Sequence, residues 1–357
     1  MVRQLPARTL RLVQVLHRHG DRSPLHNVFR GGEPCLADAE DAVWIPKLHE
    51  PQSTTDIYGA LTTTGVYQME GRGRKLRDHC RAQGWTLDGD DVDIHARSTH
   101  YVRTQRSVQA LLSQFVPHAH SNLTLEILPP TSDYINAYNA NADSIMQLKT
   151  HLVEAHAALA TREAAMASVQ TELRRLLPMF SSGSEAFSWM KAADYYICRH
   201  AHGIPFLRHT EDLAAQTIAH LTYRFHEFYS HGPILRRVAG PLVQQLVAEM
   251  QNVMDGNTTS AERVVIYSGH DVSLLAFLNA FHGAAQQCRG APTVVEWPDY
   301  AAAVTMELYE EHSANSTPRW VVQVTLDGAA LGPTSAAASF CRDLLDAVSL
   351  PSMDSFP

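Results

Sequence analysis

Three short segments of this 357-residue chain concentrate side chains able to handle a phosphoryl group: residues 18–24 (RHGDRSP), 97–106 (RSTHYVRTQR) and 269–271 (GHD). Between them they hold three guanidiniums, Arg18, Arg22 and Arg103, and two imidazoles, His19 and His270. Guanidinium forks match phosphate oxygens in geometry as well as charge, so this set suits a tetrahedral dianion. In phosphoryl transfer, negative charge spreads over the equatorial oxygens, and fixed arginines can stabilise it without a metal. One imidazole must then be the nucleophile. His19 sits between Arg18 and Gly20. The cations beside it favour the neutral ring and would stabilise a phosphohistidine, while Gly20 permits a tight turn and close approach of backbone to ligand. A departing alkoxide needs a proton. Asp271, the carboxylate adjoining His270, is placed to give it and later to activate water, which predicts an acidic optimum.

The same residues have plainer uses. Arg18 or Arg22 could pair with Asp21, Arg103 could anchor a helix start, and His270 with Asp271 could cap the helix that follows. Arg97 reads as a support residue and His17 as strand-end packing. His26, His200 and His202 have no metal-ligand spacing, so neither a metal nor a cofactor is expected.

These segments need elements to bring them together. Residues 10–16 (LRLVQVL) and 92–96 (VDIHA) read as strands, and 61–81 as a helix opening at a Thr cap and stopping before Gly84. A helix through 108–115 follows. Strand–helix alternation implies parallel strands with helices on the faces, and ligands in such sheets bind beyond the C-terminal strand ends. From about Asp133 to Glu249 strand signal is almost absent. Residues 151–177 read as an Ala- and Leu-rich helix, with further helices near 211–229 and 233–250. The α/β pattern returns at 263–267 (RVVIY), a helix at 272–282, strands at 303–309 and 320–325, and a terminal helix near 335–348. The expected architecture is an α/β fold, a mostly parallel central sheet flanked by helices with an all-helical cap insertion. Its α/β domain comprises 1–132 and 250–357, and its cap 133–249.

The composition sets bounds on function. A formal charge of −8 argues against a nucleic-acid partner, and no apolar run reaches the length of a transmembrane segment. The basic residues are 25 Arg and only 4 Lys, beside 20 His. Full His protonation would carry the charge toward +12, which would draw anionic substrates at acidic pH. The five cysteines form no CxxC pair. Sequons at Asn122, Asn257 and Asn315 suit a secreted protein, but the N-terminus lacks a signal-peptide apolar core. Compartment therefore stays open between secreted, lysosomal or endosomal with a trimmed signal, and cytoplasmic. A homodimer is also left open.

HRHGDRSP together with YSGHD resembles the histidine acid phosphatase family, marked by R-H-G-x-R-x-P near the N-terminus and a late H-D. Five fixed residues arise by accident in such a length at a rate of roughly a few in ten thousand. LTTTGVYQ, RSTHYVRT and YAAAVTMELYEE resemble further family segments in the right order. The resemblance implies a phosphoglycerate-mutase-like fold and a metal-independent phosphatase acting on small-molecule phosphate monoesters. It also implies His19 as nucleophile, Arg18, Arg22, Arg103 and His270 as phosphate ligands, and Asp271 as proton donor. His100 and Val272–Ser273 depart from the family pattern at the pocket's flank, which bears on substrate. Cys198 and Cys288 stand where secreted members carry a disulfide. A phosphomutase is disfavoured by Arg22 and Pro24, and an inactive phosphate-binding module by the intact nucleophile and donor. Lysophosphatidic acid and inositol phosphates both stay open as substrates.

Overall fold

The computed structural model describes residues 7–49, 57–87, 92–118, 123–181, 185–258, 260–289, 296–312 and 317–349, with the side chains of 285–289 excepted. The chain opens with β1 (Ala7–Arg18), α1 (Pro34–Trp44), α2 (Thr63–Ala82), β2 (Val92–Thr99), α3 (Val102–Phe115) and β3 (Leu125–Leu128). Helices follow: α4 (Ala142–Ala155), α5 (Ala157–Ala165), α6 (Ala167–Leu176), α7 (Pro178–Ser181), α8 (Trp189–Ala201), α9 (Glu211–Ser230) and α10 (Gly232–Met254). The chain then returns through β4 (Glu262–Gly269), α11 (Asp271–Arg289), β5 (Ala303–His312), β6 (Arg319–Leu326), β7 (Ala329–Ala330), β8 (Ser335–Ala336) and α12 (Ala337–Val348).

The sheet runs β3-β2-β4-β1-β5-β6-β7, with β8 also on β6. β3, β2, β4 and β1 are parallel, whereas β5 to β8 pair antiparallel, so the sheet is mixed with its parallel strands grouped together. This is the expected α/β class. Along β1, side chains alternate between faces as strand geometry requires. Leu12 and Leu16 join a core with α8 to α12. Val13 and Val15 join another with Met69 of α2 and Val108, Leu111 and Phe115 of α3.

The helix expected over 151–177 is three helices, α4 ending inside it and α5 and α6 completing it. The chain turns extended at His156 (ψ 104°) and leaves helical geometry at Met166 (ψ 1°). Neither Gly nor Pro marks these breaks; the pieces fold back so that Leu159, Val169 and Leu173 reach one core. α1, α8 and β3 were not foreseen. β3 is a four-residue edge strand with Glu126 and Ile127 exposed, too short and too open to show alternation.

Candidate active site

Register brings the three chemical segments side by side. Arg18 lies opposite Gly269, and Ser98 opposite Ser268, so β1, β2 and β4 end level. The His19 N–H donates to the Gly269 carbonyl at 3.0 Å, extending the ladder one residue past β1. His19 and His270 therefore emerge as neighbours, with ring centroids 5.6 Å apart, edge to face. A pocket at this edge is lined by Arg18, His19, Arg22, Arg103, His270 and Asp271. All six expected residues meet there.

α2 holds the loop that carries them. Thr62 caps the helix by accepting from the Gly65 N–H at 3.1 Å, and its hydroxyl donates to the Asp21 carboxylate at 2.6 Å. The Asp21 N–H donates to Gln68 Oε1 at 2.8 Å. Glycine is required on both sides of this contact. A Cβ on Gly20 would meet the Gly65 carbonyl oxygen at 2.3 Å, and one on Gly65 the Asp21 carbonyl oxygen at 2.2 Å. The Leu61, Thr62, Gly65 and Gln68 spacing is thus a cradle for the RHGDR loop.

Within the pocket His19 Nδ1 lies 2.8 Å from the Gly20 carbonyl oxygen. That carbonyl can only accept, so the proton sits on Nδ1 and Nε2 keeps its lone pair. Burial, reinforced by Arg103, Arg18 and Arg22, holds His19 well below the usual imidazole range. His270 is lowered likewise by burial and by the same three cations. Its Nε2 lies 3.1 Å from Thr99 Oγ1, and its Nδ1 3.5 Å from Arg103 Nη2. Arg103 itself is pushed down to about 10 by desolvation and by Arg22. Cations crowded this closely favour an anion between them. Arg18 Nη2 pairs with Asp271 Oδ2 at 3.0 Å while Nη1 donates to the Pro298 carbonyl at 2.7 Å. Its guanidinium also lies over the Tyr300 ring, 4.1 Å from the centroid.

Other residues at the site were missing from the sequence reading. Asp194 of α8 accepts from Arg22 Nη2 at 2.7 Å and from the Leu25 N–H at 2.6 Å. Asp21 does not pair with either arginine; it holds Thr62 and His202, whose Nε2 is 2.5 Å from Asp21 Oδ1. Arg97 is a support residue, bound to Glu126 and Glu249 at 2.9 Å each. His17 is buried with Nδ1 3.0 Å from the Arg18 carbonyl oxygen, and burial lowers it to about 4. Buried histidines such as these stay neutral, so acidification stops short of the full +12.

The sequence left a Cys198–Cys288 disulfide open. Cys198 is a free thiol, 3.1 Å from Tyr300 Oη and 3.6 Å from Arg22 Nη1, beneath the pocket. Burial pushes that thiol upward, so it serves as a neutral filler and not as a thiolate. The Cys288 side chain lies outside the described residues, as do Asn122 and Asn315; Asn257 is exposed. Among the described residues no helix is long and apolar enough to cross a membrane.

Comparison with known proteins decides the family. The family model of the histidine phosphatase superfamily (branch 2) matches residues 9–327. The chain belongs to this superfamily. This histidine phosphatase is 26% identical over 332 residues to lysosomal acid phosphatase of Xenopus laevis, covering 87% of this chain and 68% of that one. It is 23% identical over 373 residues to lysophosphatidic acid phosphatase type 6 of Mus musculus, covering 93% and 82%. Its fold matches Hafnia alvei phytase, with a TM-score of 0.62 at 16% identity, over 98% of this chain and 100% of that one. It also matches the Bifidobacterium longum multiple inositol polyphosphate phosphatase bound to inositol hexasulfate, with a TM-score of 0.64 at 13% identity, over 99% and 96%.

Proposed function

We propose that this histidine phosphatase is an acid phosphomonoesterase working through a phosphohistidine. Arg18, Arg22, Arg103 and His270 hold the three non-bridging oxygens of a bound ester, and His19 Nε2 attacks phosphorus in line. The bond to the leaving oxygen breaks as that oxygen takes a proton from Asp271, and the alcohol departs. Asp271, now a carboxylate, removes a proton from water, whose oxygen attacks the phosphohistidine; inorganic phosphate forms and His19 is restored. The Gly20 carbonyl keeps the Nδ1 proton in place and steadies the cationic phosphohistidine ring.

The observation that carries this reading is the tautomer of His19. A neutral imidazole with Nδ1 tied to a backbone carbonyl has its free nitrogen in a pocket containing three guanidiniums. The names of the relatives, acid and lysophosphatidic acid phosphatases, agree with it. The pH dependence follows from two demands. His19 must be neutral, which its lowered range allows well below pH 6.5, and Asp271 must arrive protonated. The first demand is met on the acidic side of neutrality.

Rapid alkaline quench of the enzyme with ³²P-labelled p-nitrophenyl phosphate is expected to trap base-stable, acid-labile label on His19. His19→Ala is expected to lose both the label and about 10⁴-fold or more in kcat, as nucleophile deletions do. A His19→Ala enzyme hydrolysing p-nitrophenyl phosphate at an ordinary rate would exclude the mechanism.

A further inference from the structure

The leaving-group side of the pocket has a composition that the reaction does not demand. The charged lining residues are Arg18, Arg22 and Arg103 against Asp194 and Asp271, and both histidines are held neutral. With Asp271 protonated as donor, the lining carries two net positive charges, which is the charge of one phosphate monoester dianion. A second phosphate group would meet no free cation among the described lining residues. Cations just outside are engaged as well. Lys191, following Met190 on α8, is paired with Glu185. Arg30, in the cleft that continues past Leu25, is paired with Asp41 at 3.1 Å. His26 of that cleft is lowered by burial and by Lys191.

Apart from Tyr101 and Asn136, the rest of the wall is apolar: Leu25, Met190, Ile197, Val272 and Trp297. Met190 and Ile197 flank Asp194 on one face of α8, four residues before and three after it. All five are partly buried, and Met190, Ile197, Val272 and Trp297 rest on the main core. Trp297 meets Phe225 edge-on, with ring centroids 5.3 Å apart. The wall is therefore a backed surface and not a loose rim, and apolar contact with it is worth roughly 25 cal/mol per Å² removed from water.

We infer that this pocket selects esters carrying a single phosphate on an apolar body, an aryl ring or an acyl chain, and discriminates against multiply phosphorylated polyols. The inference rests on the phosphatase reading above and names its substrate class.

Matched pairs test it. kcat/KM is measured for naphthyl against phenyl phosphate, and for a short-chain acylglycerol phosphate below its micellar concentration against glycerol phosphate; inositol hexakisphosphate is a fifth substrate. Within each pair the reacting oxygen is alike, so the ratio reads the body. At least one ratio is expected to exceed about 10, and which one does identifies ring or chain. Inositol hexakisphosphate is expected to be slowest. Trp297→Ala and Met190→Lys are each expected to pull the larger ratio toward one. A ratio of two rate constants is independent of how much enzyme is correctly folded, so misfolding cannot produce this result. Met190→Lys is further expected to raise inositol hexakisphosphate relative to glycerol phosphate. Ratios near one in both pairs, or inositol hexakisphosphate as the best substrate, would overturn the inference while leaving the phosphatase reading intact. No turnover of any monoester, p-nitrophenyl phosphate included, would overturn the phosphatase reading and the inference with it.

Discussion

The floor of the pocket and its wall are built by different means. On the floor, made by the ends of β1, β2 and β4, directional bonds tie each reactive side chain. His19 is held by the Gly20 carbonyl, His270 by Thr99 and Arg18 by the Pro298 carbonyl. The wall of α8, the start of α11 and the Trp297 segment is set chiefly by packing volume. The contrast follows from the task. In-line attack tolerates little misplacement of nucleophile and ligands, and hydrogen bonds on strand ends supply that aim. Accommodating an ester body needs only shape and dryness. Substitutions on the floor should therefore depress every substrate, and substitutions on the wall should re-rank them.

Asp271 stands where floor and wall meet and gives the largest effect that sharpens this contrast. Asp271→Asn keeps the side chain's size and removes the proton. The burst rate of phosphoenzyme formation is expected to fall about 10²- to 10⁴-fold for glycerol phosphate, whose alkoxide needs that proton. With p-nitrophenyl phosphate, whose leaving oxygen departs unprotonated, the fall is expected to be under about tenfold. Equal losses in both would mean that Asp271 acts only by steadying Arg18, to which it is bound at 3.0 Å.

The floor was legible in the sequence, and the wall was not, for physical reasons. Floor residues come in consecutive runs at strand ends, Arg18 with His19 and His270 with Asp271, and their chemistry constrains residue type. The cap at Thr62 was also readable, because a capping hydroxyl must precede its helix. Asp194 shows no such mark. It lies in the middle of the largely apolar α8, and its partner Arg22 is 172 residues away in the chain. Cys198 shows the limit of resemblance: family position left a disulfide open, and its contacts with Tyr300 and Arg22 depend on tertiary packing.

Asp194 is another place where the wall reaches into the floor, which makes it the next test. The pair is deeply buried, with side chains 5% and 7% exposed. Asp194→Ala leaves Arg22 without its carboxylate and the Leu25 N–H without its acceptor. Deleting one member of a buried pair costs about 3–5 kcal/mol, because a charge remains buried and uncompensated. Denaturant unfolding is expected to show a loss of about 3 kcal/mol. Added inorganic phosphate should stabilise the variant more than the wild type, since it supplies the missing counter-charge. A loss below about 1 kcal/mol would show that floor and wall are independent here.

The smallest effect concerns the foundation of the floor. His17 is fully buried behind Arg18, and its burial holds it neutral down to about pH 4. In the unfolded chain an ordinary imidazole takes a proton near pH 6.5. Between those values the unfolded state binds the extra proton, so stability rises with pH and is lost as pH falls from about 6.5 toward 4. From pH 7 to pH 5 this one residue is expected to cost about 2 kcal/mol. His17→Asn, whose amide can replace the Nδ1 donor to the Arg18 carbonyl, removes that proton linkage while His19 and His270 still titrate as before. The difference in unfolding free energy between pH 7 and pH 5 should therefore shrink by about 2 kcal/mol in the variant. If the difference is unchanged, His17 takes up its proton in the folded protein. The floor would then tolerate acid by accommodating charge beneath it and not by excluding it.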